Sequence, residues 1–287
     1  MLKQSFKQLL KVILVMFFVG LFGATSAFGQ IMGNNSFQTA HSFGYWEYHF
    51  SGTTFLEAGE DDAYYSFWAN TGDRLFVRLG VHSDYIGSGM NLQIFDSNQK
   101  EIDIPNSHII NPTSPYAFIF ENVNGTSNSQ NFFIKVNRGT YIGNMVFTVS
   151  MEKRIYSSIE KFPFTGIASN PGNTDILANP NGVDSSIITM NLTNNSSIPN
   201  GAIVRSITTT GKVSPNKNGL LHKISINQDN IWRTAAVNGN GYDITVNDDL
   251  EVKRIWSFRY NQKVPGASTM KDVEANINYE YDITNGF

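Results

Sequence analysis

Glu60, Asp61 and Asp62 stand in a row, and Asn34 and Asn35 form an amide pair upstream. Calcium takes roughly six to eight oxygen ligands from carboxylates, amide and backbone carbonyls and water. These five residues are therefore a candidate calcium site, provided the segment around Asn34 folds across the acidic turn. Flat rings offer a second chemistry. Trp46, Tyr85, Trp232 and Trp256 are candidate ligand-binding residues, because aromatic faces bury area against sugars and polymers at little entropic cost. Tyr45 and Tyr48 are of the same type. Rings two apart in a strand share a face and more often build core, a pattern met in Trp46, Tyr48 and Phe50 and in Trp256, Phe258 and Tyr260.

Catalytic patterns are weak. His41, His49, His82, His108 and His222 are scattered, without the His-Glu-x-x-His spacing of a zinc site. Gly87-Ser88-Gly89 lacks the Gly-x-Ser-x-Gly elbow. His82-Ser83-Asp84 reads as a loop at a strand end, since neighbours on a strand face opposite sides. Paired carboxylates at Glu60 to Asp62 would need a cleft between them for acid–base work. No residue is assigned as catalytic. The chain has no cysteine, which excludes disulfides, thiolate metal sites, a cysteine nucleophile and a lipoprotein anchor.

The first 29 residues read as a secretory signal: Lys3, Lys7 and Lys11 precede the apolar run Val12 to Phe22, and small residues follow. Cleavage is expected after Ala27 or Gly29. The run is shorter than the roughly 20 residues that span a bilayer, so no membrane insertion is expected after signal cleavage. The formal net charge is −3, and more negative without the three leader lysines, which argues against nucleic acid as a partner. Charged residues make up only 16% and aromatics 13%, the opposite of a disordered chain.

These residues need a frame, and the frame reads as all-β: short strands parted by Gly, Asn, Asp and Pro clusters. Strands are expected at 45–50, 63–68, 74–81, 90–95, 116–120, 131–136 and 145–151. The charged stretch Glu152-Lys153-Arg154 marks a pause, and strands resume at 186–192, 202–208, 220–226, 231–235, 242–246, 252–260 and 273–283. The last is the most regular, with Val273, Ala275, Ile277, Tyr279, Tyr281 and Ile283 on one face and Glu274, Asn276, Asn278, Glu280 and Asp282 on the other. Tyr242, Ile244 and Val246 alternate likewise. Asn-Gly pairs such as Asn200-Gly201 and Asn218-Gly219 suit type I′ hairpins. The expected organisation is a signal peptide (1–29) followed by two β-sandwich, jelly-roll-like domains in tandem, at 33–151 and 154–287.

Several segments of the first half occur in the order of one known family: Asn34-Asn35-Ser36-Phe37-Gln38-Thr39-Ala40, then Glu60-Asp61-Asp62-Ala63-Tyr64-Tyr65-Ser66-Phe67, Asn70-Thr71-Gly72-Asp73-Arg74-Leu75, Asn91-Leu92-Gln93-Ile94-Phe95-Asp96 and Asn131-Phe132-Phe133-Ile134-Lys135-Val136. Together they make the region from about Gly33 to Met151 resemble the bacterial pre-peptidase C-terminal domain. The resemblance implies a β-sandwich that accompanies secreted peptidases, with relatives that bind collagen and calcium. In those calcium-binding relatives a carboxylate commonly precedes the aromatic pair; this chain has Ala63 there. No peptidase sequence accompanies the domain, so an accessory binding module is implied. The second half resembles no known family.

The expected function is that of a secreted, non-catalytic protein, extracellular or loosely attached to the cell surface, binding a polysaccharide or matrix protein. A secreted hydrolase with a dispersed active site and a self-assembling structural or toxin-like component are the alternatives.

Overall fold

The computed structural model describes residues 30–48, 51–102, 108–115, 117–226, 231–236 and 241–287. The expected signal peptide lies outside the described residues, as do His49 and Phe50. The chain divides into two compact units, Met1–Lys153 and Arg154–Phe287. Both are antiparallel β-sandwiches almost throughout, so the all-β fold class holds.

The first unit contains β1 (His41–Tyr45), β2 (Gly52–Leu56), β3 (Asp62–Ala69), β4 (Arg74–Gly80), the short helix α1 (Ser83–Gly87), β5 (Asn91–Asp96), β6 (His108–Ile110), β7 (Phe118–Asn124), β8 (Gln130–Asn137) and β9 (Met145–Lys153). One sheet has the order β2-β9-β4-β7-β6 and the other β1-β3-β8-β5. Only β1 joins its neighbour β3 in parallel among these strands. Period two explains the packing. Leu75, Val77 and Leu79 of one sheet and Tyr65, Phe67, Ile134 and Val136 of the other are inward and buried in one core. Each such side chain contributes roughly 1.5–3 kcal/mol on burial.

The second unit contains β10 (Ile155–Pro163), β11 (Ala168–Asn170), β12 (Val183–Asp184), β13 (Ile188–Asn191), β14 (Ile203–Ser214), β15 (Leu221–Ile226), β16 (Arg233–Thr234), β17 (Ile255–Gln262) and β18 (Ser268–Asp282). In one sheet β18 is central: β14 lines one edge, while β10 and β11 share the other. In the second sheet β17 is central, with β15 and then β16 on one side and β12 and β13 on the other. Val273, Ala275, Ile277 and Tyr279 of β18 face Ile224, Trp256, Phe258 and Tyr260 in a single core. The expected alternation of this strand therefore holds through Tyr279. Glu280 departs from it, being only 9% exposed and paired with Arg205 at 3.7 Å.

Several expectations are corrected. The strand expected over 45–50 ends at Tyr45, and Trp46–Tyr48 form a 3-10 turn. Gly44, at φ +74°, and an irregularity of register after Ser42 break the ladder there. No strand forms over 242–246. Tyr242 and Ile244 are buried, but they alternate as a loop packed on the core, running into a 3-10 turn at Val246–Asp248. His82-Ser83-Asp84 opens α1 rather than a plain loop: His82 is its N-cap and accepts from the Asp84 amide at 3.3 Å. In Asn200-Gly201 and Asn218-Gly219 only the glycines have positive φ, 69° and 70°, so neither is a type I′ turn. Asn218-Gly219 in fact lies on a crossover between sheets. Among the described residues, no helix is long and apolar enough to cross a membrane.

Candidate functional site

The candidate rings take four different places. Trp46 is 5% exposed, and its indole N–H donates to Asp73 Oδ2 at 2.8 Å. That carboxylate also accepts from Tyr45 Oη at 3.2 Å and from the Asn70 amide at 2.7 Å, so Trp46 pins a turn. Trp256 is 1% exposed and donates to the Val252 carbonyl at 3.0 Å. Both belong to the cores and present no ring face to a ligand, which corrects the expectation for them. Tyr85, on α1, is half-buried edge-on to Tyr141 with centroids 4.8 Å apart. Its hydroxyl accepts from the Val146 amide at 3.4 Å, so it ties the helix to β9.

Trp232 is different. It stands just before β16, half-exposed, and its ring carries the guanidinium of Arg259 at 3.9 Å from the centroid. Arg259 lies on the outward face of β17, directly opposite Lys223 of β15. Two like charges facing each other across a ladder repel. Asp184 of β12 relieves this: its carboxylate takes Lys223 Nζ at 2.7 Å and Arg259 Nη2 at 3.1 Å. Asn261 Nδ2, also on β17, donates to the same carboxylate at 2.8 Å. Burial raises the Asp184 pKa, but the bonds from Lys223 and Asn261 and the two positive charges outweigh it, so the group falls below its ordinary value. The result is a half-exposed indole on a locked Arg–Asp–Lys–Asn array with one positive charge in excess. Gly182 beside it has φ +87°, and a Cβ there would strike Asn261 Oδ1, so the turn before β12 fits only glycine.

The candidate calcium residues come together only in part. The segment does cross the acidic turn: Asn35 Nδ2 donates to Glu60 Oε1 at 3.0 Å, and Asn34 Nδ2 to the Tyr64 carbonyl at 2.8 Å. Both asparagines thus turn nitrogen, not oxygen, toward the turn. The Asp62 carboxylate accepts from Asn137 at 2.7 Å and pairs with Lys135 at 3.3 Å, while the carbonyl of Asp61 accepts from the Arg138 amide at 3.0 Å. Among the described residues no group of three or more His, Asp or Glu side chains is gathered for a metal ion. This arrangement does not fit a calcium centre: its cation is a lysine.

A third feature was not anticipated. A cavity of about 310 Å³ opens in the second sandwich, lined by residues that include Thr210, Asn216, Lys217, Asn218, His222 and Met270. Its signal in the sequence is modest but real: His222 occupies the inward row of Ile224 and Ile226, where an imidazole is out of place. Arg259, Lys223 and Asp184 carried no comparable signal, because a polar residue on an outward face is ordinary.

No family model matches the chain. The Bacillus subtilis protein named Uncharacterized protein YbdN is 43% identical over 260 residues, which is 90% of each chain. Among solved structures, the pre-peptidase C-terminal domain of a Bacillus anthracis collagenase is 14% identical, covering 39% of this chain and 94% of that one, with a TM-score of 0.29. A Eubacterium rectale protein, provisionally described as secreted, is 10% identical over 88% of this chain and 85% of its own, with a TM-score of 0.34.

Proposed function

This chain belongs to the same family as Bacillus subtilis YbdN, and we propose that it is an exported, non-catalytic protein that binds an extracellular polysaccharide or matrix protein. The outward face of β17 with Trp232 is the recognition surface. The observation that carries this reading is the Trp232–Arg259 contact. Tryptophan and arginine dominate binding hot spots, and here the ring is held by a guanidinium that is itself fixed by Asp184. Such an anchor loses little freedom on binding. The first sandwich is read as an accessory module of the pre-peptidase C-terminal type, on the ordered segments from Asn34 to Val136. The apolar leader with its three lysines supports export.

Retention of the purified mature protein on insoluble cell-wall polymer, chitin, cellulose or collagen tests this directly. Binding to one of them is expected, and Trp232→Ala should abolish it without unfolding the protein. Retention on none, or equal retention of the variant, would overturn the assignment. Protection of the protein from protease added to intact cells, with none in the culture fluid, would overturn export.

A further inference from the structure

Three connections meet at one end of the second sandwich: 171–182 between β11 and β12, 215–220 between β14 and β15, and 263–267 between β17 and β18. Hydrogen bonds tie them together. The Asn173 amide donates to the Val264 carbonyl at 3.1 Å, and its Nδ2 to the Lys263 carbonyl at 3.2 Å. Lys217 Nζ donates to the Pro265 carbonyl at 3.2 Å. Gly172, at φ +84°, packs so close to Gly266 that a Cβ would strike its backbone. The outermost turn is fixed in the same way. Asp175 Oδ1 accepts from the Ala178 amide at 2.9 Å, and the Asp175 carbonyl from the Asn179 amide at 2.9 Å. The Asn179 carbonyl in turn accepts from Asn173 Nδ2 at 2.9 Å.

What this braced turn presents to solvent is aliphatic. Leu177 is 95% and Ile176 56% exposed, and Val264 on the neighbouring connection is 39% exposed. Pro171, Pro215 and Ala267 add the apolar wall of a shallow cavity of about 480 Å³. Single exposed aliphatics are ordinary, whereas a group of them with a polar rim marks a contact surface. The rim here is cationic. Across these connections and the adjoining strand ends, Lys212, Lys217, Lys263 and Lys271 outnumber Asp175 and Asp272, in a chain of formal net charge −3. Protein hot spots favour tryptophan, tyrosine and arginine, and residues 171–182, 211–220 and 262–272 include none of the three. A projecting aliphatic turn needs a socket in a folded partner and none in a fluid bilayer. We propose that this end of the second sandwich docks on an anionic lipid surface. Ile176, Leu177 and Val264 dip below the headgroups, and Lys217 and Lys263 meet the lipid phosphates. The contact is interfacial, and nothing spans the bilayer. The chain enters this unit at Ile155, opposite Asp282, which is the other end of β18. Trp232 takes no part, so lipid docking and polysaccharide binding can fail separately.

The chain has no cysteine, so a single introduced thiol can carry a polarity-sensitive dye at a chosen position. Ala178→Cys places the dye on the turn, and Ser157→Cys places it on β10 at the opposite end. The full mature chain should co-sediment with vesicles of phosphatidylglycerol and phosphatidylcholine. The dye at 178 should shift to the blue, and the dye at 157 should not change. Ile176→Ser with Leu177→Ser, both in an exposed turn, should weaken binding at least about tenfold in Kd. Lys217→Gln with Lys263→Gln, or vesicles of phosphatidylcholine alone, should weaken it likewise. No co-sedimentation, the same dye response at both positions, or full affinity in the serine variant would overturn the proposal. So would equal binding to phosphatidylcholine alone. A concentration-dependent dimer that is lost in the serine variant would also overturn it, by making a second copy the occupant.

Discussion

Between the sheets of the first sandwich, hydroxyls meet as a pair: Thr54 Oγ1 and Tyr65 Oη, 2.6 Å apart. In the second sandwich they run in threes. Tyr260 Oη meets Ser268 Oγ at 2.8 Å, and Ser268 donates to Gln262 Oε1 at 2.6 Å; the other trio is Tyr242, Thr209 and His222. The Gln262 series closes on the backbone, with Nε2 donating to the Val264 and Gly266 carbonyls, and so it secures the turn between β17 and β18. The histidine series ends at a cavity. Interior polarity stabilises a turn when every group in the series finds a partner inside.

The two sandwiches should behave alike where both are dry. Ile277→Ala in the second and Ile134→Ala in the first each remove a fully buried side chain and should cost about 2–5 kcal/mol, measured by denaturant unfolding. A much smaller loss in the second unit would mean that its core is loosely packed, and the comparison would fail.

Acid should separate them. An unfolded histidine titrates near 6.5, and His222 in the folded chain near 4. The neutral ring is the form favoured by folding, so its contribution is complete above about pH 6.5. It is lost as pH falls through 4, to a limit on the order of 3 kcal/mol. Tyr242 and Tyr260 do not titrate in this window, because burial raises both. His41 of the first unit is also lowered by burial, but it is exposed on β1 and should contribute a shallower slope. Unfolding midpoints between pH 7 and 4 should fall steeply for the wild type, and His222→Gln should remove that slope.

Thr209→Val strands two partners, His222 Nδ1 and Tyr242 Oη, whereas after Thr54→Val the Tyr65 hydroxyl keeps Asn34 as a hydrogen-bond partner. At about 1–3 kcal/mol per buried unpaired group, the first change should cost more by at least about 1 kcal/mol in thermal unfolding. Equal losses would show that the trio adds nothing to the pair. Arg259→Met should cost less, about 1 kcal/mol or below, since a partly exposed cation–π contact is worth roughly 0.5–1 kcal/mol. Its mark should be a changed Trp232 fluorescence. Smallest of all, a chelator should leave the thermal midpoint unchanged, since a metal bound only by the native state would raise it.

How much of this was legible depended on whether a strand has two unlike faces. Val273 to Tyr279 and Tyr65 to Ala69 alternate because one side meets a core and the other water. β10 escaped notice because Tyr156, Ser157, Ser158 and Ile159 are exposed or half-exposed at a sheet edge, so no period is imposed on them. Residue type alone could not place the tryptophans. Trp256 takes its direction from β17, and Trp46 lies outside any strand, held inward by Asp73. The array around Asp184 draws on β12, β15 and β17, and only strand pairing brings it together.

The position of β18 has a consequence for the order of events at synthesis. Its sheet partners β10, β11 and β14 all pair with it and not with one another, and Ile155 meets Asp282 across the ladder. Three finished strands must wait for the fourth to leave the ribosome before any of that sheet can close. Pairings so distant along the chain form slowly. This postpones closure of that sheet until β18 itself has been made.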